Sequence, residues 1–164
     1  MISYEVHEMK NDKTLNLQKL TDKLKQIKAK DIMTKDVLTV AKDETLADVA
    51  KLMIKKRISG FPVLEDDKII GIITANDLFL VMDMIKTGEI PENNCEGCSP
   101  KVSFAMSTEA ITVNPDTNLD EIIALMKYRN IHTLPITSHD KLVGVIGRRD
   151  VFKFFYFTVK DCCM

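Results

Sequence analysis

The second half of this sequence repeats the first. When the chain is shifted by 73 residues against itself, residues 31–79 align on residues 104–152 without a gap, and 15 of 49 positions are identical. The identical pairs include Pro62 with Pro135 and Asp77 with Asp150. So many matches at one fixed offset indicate an internal repeat. The chain is therefore expected to fold as two copies of one unit.

Each copy has the same order of elements. In the first copy, the β-prone stretch 37–40 precedes Asp43, which we predict as a helix N-cap, and apolar residues at helical spacing follow. Two β-branched runs then flank a polar turn, which predicts a hairpin, and a last helix is expected to start near Thr74. The unit is thus β-α-β-β-α, and its half-open sheet is too small to be stable alone.

Two such units can close one core if they pack sheet to sheet. We therefore predict an α+β fold of two β-α-β-β-α repeats. An N-terminal helix should precede them, because apolar residues recur at helical spacing in the first 28 residues. The predicted boundaries are 1–28 for the helical extension, 29–86 for the first unit, 87–100 for a linker loop, 101–158 for the second unit and 159–164 for a C-terminal tail.

Charge and hydropathy exclude several classes of partner. The 164 residues carry 23 basic and 24 acidic side chains, so the chain lacks the basic footprint of a nucleic-acid-binding protein. No apolar run approaches the length of about 18 residues that a membrane span needs. The N-terminus is acidic and has no apolar core of the kind that signal peptides carry. We expect a cytoplasmic protein without nucleic-acid or membrane partners.

Four cysteines lie late in the chain, at Cys95, Cys98, Cys162 and Cys163. In a cytoplasmic protein, a Cys-x-x-Cys motif indicates metal or redox chemistry rather than a disulfide. Four thiolates are the right number for a structural zinc ion, but a vicinal pair is a poor spacing for one. We expect reduced cysteines without a metal. A metal-binding or redox protein that works through Cys95 and Cys98, with the repeats as scaffold, is the alternative.

The repeated unit closely resembles the cystathionine β-synthase (CBS) domain, which occurs in tandem as a Bateman module. The resemblance spans about four fifths of the chain and is carried by residues 31–34, 58–63 and 71–78 of the first copy and residues 104–107, 131–136 and 144–151 of the second. It implies a non-catalytic regulatory module that binds AMP, ADP, ATP or S-adenosylmethionine in clefts between the copies and signals to a protein partner by changing shape. The adenine nucleotide would be a regulatory ligand, not a required cofactor. We find no nucleophile–base set and no P-loop in the sequence, so we predict no enzymatic activity.

Two interpretations of Asp77 stay open at this point. The resemblance implies that Asp77 accepts hydrogen bonds from the ribose hydroxyls, with Thr74 also bonded to the ligand. Thr74 and Asp77 also have the spacing of a helix capping box, which needs no ligand. In the second copy, Gly147 replaces the threonine while Asp150 is kept. An acid kept without its capping hydroxyl favours a second use for that acid.

The resemblance also implies which residues line each cleft. The cleft at Asp77 would contain Ile72, Thr74 and Asp77 with Ala110, Ile111, Ile131, His132 and Thr133, and Arg149 would lie within reach of the ligand phosphates. The cleft at Asp150 would contain Val145, Gly147 and Asp150 with Val37, Leu38, Ile58, Ser59 and Gly60. We expect the Asp77 cleft to bind the nucleotide more tightly, because the hydroxyl of Thr74 and charge-assisted hydrogen bonds from His132 and Arg149 would add to it. The Asp150 cleft would have Gly147, Ser59 and Asn76 at the equivalent positions.

The last helix is expected to mediate self-association. Four phenylalanines crowd residues 151–157, and one helix face cannot bury them all within its own unit. In the CBS family the corresponding helices form a dimer contact. We therefore predict a homodimer.

Overall fold

The structure is a computed structural model that describes residues 17–90, 95–96 and 99–163. Its helices are residues 17–26 (α1), Ala29–Ile32 (α2), Leu46–Lys56 (α3), Ala75–Thr87 (α4), Val102–Ala105 (α5), Leu119–Tyr128 (α6) and Arg148–Cys163 (α7). Its strands are Val40–Ala41 (β1), Gly60–Glu65 (β2), Lys68–Thr74 (β3), Cys95–Glu96 (β4), Ser99–Pro100 (β5), Thr133–Ser138 (β6) and Lys141–Gly147 (β7).

Each repeat contributes one antiparallel hairpin to the centre of the molecule. Strand β2 pairs with β3 and β6 pairs with β7, with a register shift at the same place in both hairpins. Strand β1 adds to the first hairpin in parallel. Contacts between β2 and β6 and between β3 and β7 join the two sheets. The predicted α+β fold of two packed β-α-β-β-α repeats is thereby confirmed, but the buried apolar residues form two cores rather than the one core that we expected.

The first strand of each repeat is shorter than predicted. Of the stretch 37–40, only Val40 lies in β1, and its counterpart Val113 forms a single parallel bridge with Ile136. Val40 is buried and pairs with Val63 of β2. Asp36 and Leu38, which lie before it in the chain, line a cleft that is described below.

The predicted N-cap of α3 is wrong by two residues. Thr45, not Asp43, precedes the helix, and its hydroxyl accepts a hydrogen bond from the backbone N–H of Asp48. The apolar spacing is confirmed, since Leu46, Val49 and Met53 are buried. Thr45 has a β-region backbone conformation, and its hydroxyl reaches the N–H of the third helical residue, as an N-cap residue requires. Asp43 lies too far from the first turn to supply it.

The short helices that precede the two repeats, α2 and α5, are called the leading helices here, and each packs on the repeat that it does not precede. Helix α2 precedes the first repeat in sequence, yet Ala29 is fully buried in the core of the second. Helix α5 precedes the second repeat, yet Val102 is fully buried in the core of the first. The chain that follows each helix pairs in the same way, Thr34 with Val145 of β7 and Ser107 with Ile72 of β3. The two repeats therefore share both cores.

Two of the predicted boundary segments contain regular structure. The linker 87–100 includes an antiparallel pairing of β4 with β5. Helix α7 continues to Cys163, through most of the segment that we predicted as a C-terminal tail from residue 159. Among the described residues, no helix is both long and apolar enough to cross a bilayer.

Candidate functional site

Two clefts lie between the repeats. The Asp77 cleft has a volume of about 290 Å³ and is lined by Ile72, Thr74, Asn76, Asp77, Ser107, Glu109, Ile111, Arg129, Asn130, Ile131, His132 and Thr133. The Asp150 cleft has a volume of about 600 Å³ and is lined by Thr34, Asp36, Leu38, Lys56, Arg57, Ile58, Ser59, Gly60, Phe61, Pro62, His132, Thr133, Val145, Gly147, Arg148, Arg149, Asp150 and Lys153. In each cleft, the start of the last helix of one repeat faces the segment of the other repeat that connects its α-helix to its hairpin.

Most of the residues selected from the sequence line the expected cleft. The Asp77 cleft contains Ile72, Thr74, Asp77, Ile111, Ile131, His132 and Thr133. The Asp150 cleft contains Val145, Gly147, Asp150, Leu38, Ile58, Ser59 and Gly60. Three residues do not line the expected cleft: Ala110 lines a separate cavity near Lys68, Val37 is not among the residues that line the Asp150 cleft, and Arg149 is described next.

Arg149 lies in the opposite cleft from the one predicted. It lines the Asp150 cleft, where its Nη1 lies 3.5 Å from the backbone carbonyl oxygen of Arg57. The side chain starts one residue before Asp150 on α7, so it follows that helix into the cleft of its own repeat. One of the three grounds on which we ranked the Asp77 cleft as the tighter one, the presence of Arg149, is therefore wrong.

Asp77 uses one carboxylate oxygen to cap α4. Its Oδ2 accepts hydrogen bonds from the backbone N–H and from the hydroxyl of Thr74, both at 2.7 Å. This is the capping box that the spacing predicts. Within the described residues, Oδ1 accepts no hydrogen bond. Because a carboxylate has about four acceptor positions, the cap and a ligand can share this side chain.

Asp150 makes the backbone half of the same cap. Its Oδ2 accepts a hydrogen bond from the backbone N–H of Gly147 at 2.7 Å. The acid therefore has a capping use even though the threonine hydroxyl is missing. Our inference that keeping Asp150 without a capping partner favours a second use does not hold, because the partner is a backbone group.

His132 and Thr133 line both clefts. The ring Nε2 of His132 lies 3.3 Å from Oδ1 of Asn130, which also accepts a hydrogen bond from Nη2 of Arg148 at 3.0 Å. Asn130 lines the Asp77 cleft and Arg148 lines the Asp150 cleft. One amide oxygen thus connects side chains from the two clefts.

Several lining residues were missed in the sequence. Lys56 and Arg129 occupy equivalent positions at the end of α3 and just after α6, and Asp36 and Glu109 are equivalent positions after the leading helices. The 73-residue offset that defines the repeat relates each pair. Comparing charged residues at that offset could have found them.

The cysteines add no described metal site. Strand β4 includes the backbone of Cys95, but Cys98 lies outside the described residues, and so the predicted metal-binding alternative does too. Among the described side chains, no group of three or more His, Cys, Asp or Glu residues is placed to hold a metal ion.

Comparison with known proteins identifies the family. The CBS domain model matches residues 29–83 and 102–156, and the chain belongs to the CBS domain family. It is 31% identical over 128 residues to an uncharacterized protein and to the inosine-5'-monophosphate dehydrogenase of Methanocaldococcus jannaschii, of which it spans 39% and 23%. It is 32% identical over 122 residues to the CBS domain-containing protein YhcV of Bacillus subtilis, of which it spans 81%. These three alignments cover 77%, 77% and 74% of this chain.

Solved structures have the same fold. The CBS domain pair of protein MJ0100, in complex with 5'-methylthioadenosine and S-adenosyl-L-methionine, has a TM-score of 0.66 at 22% identity, covering 80% of this chain and 97% of its own. CBSX2 in complex with AMP has a TM-score of 0.67 at 22% identity, covering 79% of this chain and 96% of its own. The chain is therefore a tandem CBS domain pair.

Proposed function

We propose that this chain is a non-catalytic regulatory module that binds adenosine-containing ligands in its two clefts. The observation that carries the proposal is the pair of equivalent clefts, each with a helix-capping carboxylate at its edge. AMP, 5'-methylthioadenosine and S-adenosylmethionine occur in complexes with CBS domain pairs of the same fold. Ligand binding would change the contact between the repeats and so signal to a protein partner. Such a sensor would work in the cytoplasm, where adenine nucleotides are abundant.

The chemistry of the clefts suits a nucleoside. A carboxylate oxygen that accepts no protein hydrogen bond can accept one from a ribose hydroxyl. Leu38 and Ile111, equivalent residues of the two repeats, are 37% and 39% exposed, and each lines a cleft. Partly exposed apolar side chains at the mouth of a cavity can cover the flat faces of adenine. The starts of α4 and α7 carry the partial positive charge of a helix N-terminus, which favours a phosphate nearby.

Thermal unfolding with AMP, ADP, ATP and S-adenosylmethionine tests the proposal. We expect at least one of these ligands to raise the Tm, because a ligand that binds only the folded state stabilises it by mass action. Asp77→Ala should remove most of the shift due to its own cleft, and Asp150→Ala the shift due to the other. Each variant should lose about 1 kcal/mol of apo stability through its cap.

Asp48→Ala is the matched control. Asp48 is likewise the third residue of its helix, its Oδ2 accepts a hydrogen bond from the hydroxyl of Thr45 as that of Asp77 does from Thr74, and it lines neither cleft. This variant should lose a similar stability while its ligand-induced Tm shifts stay at the value of the unmodified protein. If Asp77→Ala and Asp150→Ala behave like Asp48→Ala, both acids serve only as caps and the proposed site is wrong.

We further propose that the module works as a homodimer. Large apolar side chains on α4 and α7 are exposed, namely Phe79, Leu80, Met82, Ile85, Phe152, Phe155, Tyr156 and Phe157. These helices are equivalent parts of the two repeats, so both repeats present apolar surface on the same element. A second copy of the chain offers the same surface and can cover it in a two-fold contact.

A further inference from the structure

We propose that the two clefts select different members of the adenosine ligand class by charge. The Asp150 cleft binds a nucleoside polyphosphate of the ADP or ATP type, and the Asp77 cleft binds an adenosine ligand with at most one phosphate. This inference rests on the proposed function and adds the identity of the ligand at each site.

The charged groups that line the two clefts differ strongly. Among the described residues, the Asp77 cleft has one permanent cation, Arg129, against the carboxylates of Asp77 and Glu109. The Asp150 cleft has five cations against two carboxylates, those of Asp36 and Asp150. The five cations are Lys56, Arg57, Arg148, Arg149 and Lys153. His132 lines both clefts and does not distinguish them. Polyphosphates are favoured where cations exceed carboxylates.

The repeat offset shows where this difference arises. Each acid of one cleft is equivalent to an acid of the other cleft, and Lys56 is equivalent to Arg129. These groups therefore contribute the same charge to both clefts. The remaining cations of the Asp150 cleft have uncharged counterparts in the other repeat. Arg57 corresponds to Asn130, Arg148 to Ala75, Arg149 to Asn76 and Lys153 to Leu80. Three of these four positions lie on the last helix.

The position of the two arginines on α7 supports an anionic ligand. Arg148 and Arg149 are the first two residues of that helix, where the partial positive charge of the helix disfavours cations. The carboxylate of Asp150, in the same turn, balances the charge of only one of these two arginines. A phosphate chain at this helix start would be attracted by both guanidinium groups and by the partial positive charge of the helix N-terminus.

The opposite wall of the cleft brings further cations to the same place. Lys56 is the last residue of α3, and Arg57 is its C-cap in a left-handed conformation. Cations are favourable at a helix C-terminus, so these two need no ligand to explain them. The side chain of Arg149 approaches the carbonyl oxygen of Arg57, so the two helix ends meet across the cleft. The larger volume, about 600 Å³ against about 290 Å³, leaves room for a longer phosphate chain.

Calorimetric titration of the full chain with adenosine, AMP, ADP and ATP tests the proposal. We expect one site whose affinity rises with each phosphate and falls as salt is added, because its attraction is largely electrostatic. We expect the other site to gain no affinity beyond the first phosphate. Equal affinity of AMP and ATP at every site would overturn the inference while leaving the proposed function intact. Absence of binding by all four ligands would contradict the proposed function itself.

The variant Arg148→Ala/Arg149→Asn assigns the effect to the Asp150 cleft. It gives the second repeat the residues that the first repeat already carries at the same positions. We expect ATP affinity at the polyphosphate site to fall by about 10- to 100-fold, since two charge-assisted hydrogen bonds are lost. Adenosine affinity should change by less than about threefold, because adenosine has no phosphate for these arginines to bind.

Lys51→Ala/Lys55→Asn is the matched control for net charge. Both lysines are exposed on α3 and line neither cleft, and the pair removes the same total charge. If this control weakens ATP binding as much as the arginine variant does, the effect is one of overall charge and the inference is wrong. Should the arginine variant fail to fold, the phosphate series and its salt dependence in the unmodified protein still decide between the outcomes.

Discussion

Asp77 and Asp150 each cap a helix while one carboxylate oxygen stays available to the cleft. The capping bonds fix the orientation of the carboxylate, so a ligand would meet an acceptor that is already positioned. The two acids differ in one respect, because Asp77 also accepts the hydroxyl of Thr74 while Gly147 offers Asp150 only its N–H. A single residue type thus has a structural use in both repeats, whether or not a ligand is bound.

Asp116 provides a pH-dependent contact between the leading segment and the second repeat. Its Oδ1 accepts hydrogen bonds from Nζ of Lys30 at 2.8 Å and Nζ of Lys28 at 3.2 Å. These bonds, with the positive charges that make them, hold the pKa of the Asp116 carboxyl below its ordinary value of 3.8. A carboxyl whose pKa is lowered in the folded state stabilises the fold above its unfolded pKa, and this contribution is lost as the pH falls through the folded pKa.

We therefore expect Asp116→Asn to lower the urea midpoint at pH 7. The difference between the variant and the unmodified protein should shrink as the pH is lowered below about 3.8. The decrease at pH 7 should be small and should fall further with added salt, because the group is exposed. A difference that stays constant down to the most acidic pH would show that the two lysines do not act through the charge of Asp116.

The two central hairpins are approached closely by the chain that follows the leading helices. A Cβ at Gly71 of β3 would lie 2.5 Å from the backbone carbonyl oxygen of Ser107. A Cβ at the equivalent Gly144 of β7 would instead overlap the side chain of Met33. Glycine at both positions lets the exchanged segments pair with the strands, as the bridges of Ile72 and Val145 record. The nearest atom that a new Cβ would meet belongs to the backbone at Gly71 and to a side chain at Gly144.

Gly71→Ala should therefore destabilise the protein more than Gly144→Ala. Backbone must move to admit a methyl group at Gly71, which costs about 1–3 kcal/mol. At Gly144 the thioether of Met33 can adopt another rotamer, so the loss should be under about 1.5 kcal/mol. Urea unfolding of the two variants measures the difference. The close-approach explanation is wrong if Gly144→Ala is the more destabilised of the two.

The part of the molecule that the structure describes has two shared cores and exposed apolar side chains on α4 and α7. The cores are complete within one chain, because each leading helix fills the repeat to which it does not belong in sequence. The exposed aromatic and aliphatic side chains of α4 and α7 lie outside both cores, with Phe79 at 67% and Phe152 at 66% exposure. Apolar surface of this kind on two equivalent helices is typical of an interaction surface.

We expect the protein to sediment as a dimer at tens of micromolar. Phe152→Glu should shift it to a monomer, because a carboxylate within the apolar contact is desolvated without a partner. Tyr128→Glu on α6 is the control, since Tyr128 is 76% exposed but lies on neither α4 nor α7. It should leave the dimer intact. A monomeric unmodified protein, or equal effects of both variants, would contradict the proposed contact.

Sequence patterns were enough to predict the repeat and most of its helices and hairpins. The offset of 73 residues predicts two units, apolar spacing predicts the buried face of α3, and the Thr74–Asp77 spacing predicts the cap of α4. The last two signals are local because helix faces and caps depend on residues that are close in the chain. The cap of α3 was misplaced because Asp43 and Thr45 are both good capping residues, and only the path of the backbone distinguishes them.

Contacts between distant residues could not be deduced from such patterns. Nothing in the apolar pattern of residues 29–33 distinguishes packing on the first repeat from packing on the second, and the structure chooses the second. Arg149 was assigned to the wrong cleft for the same reason, because its side chain direction follows from how α7 is packed. The sequence thus determines the repeated unit and its local elements. The exchange of the leading helices and the distribution of charge between the clefts depend on non-local packing, and only the tertiary structure decides them.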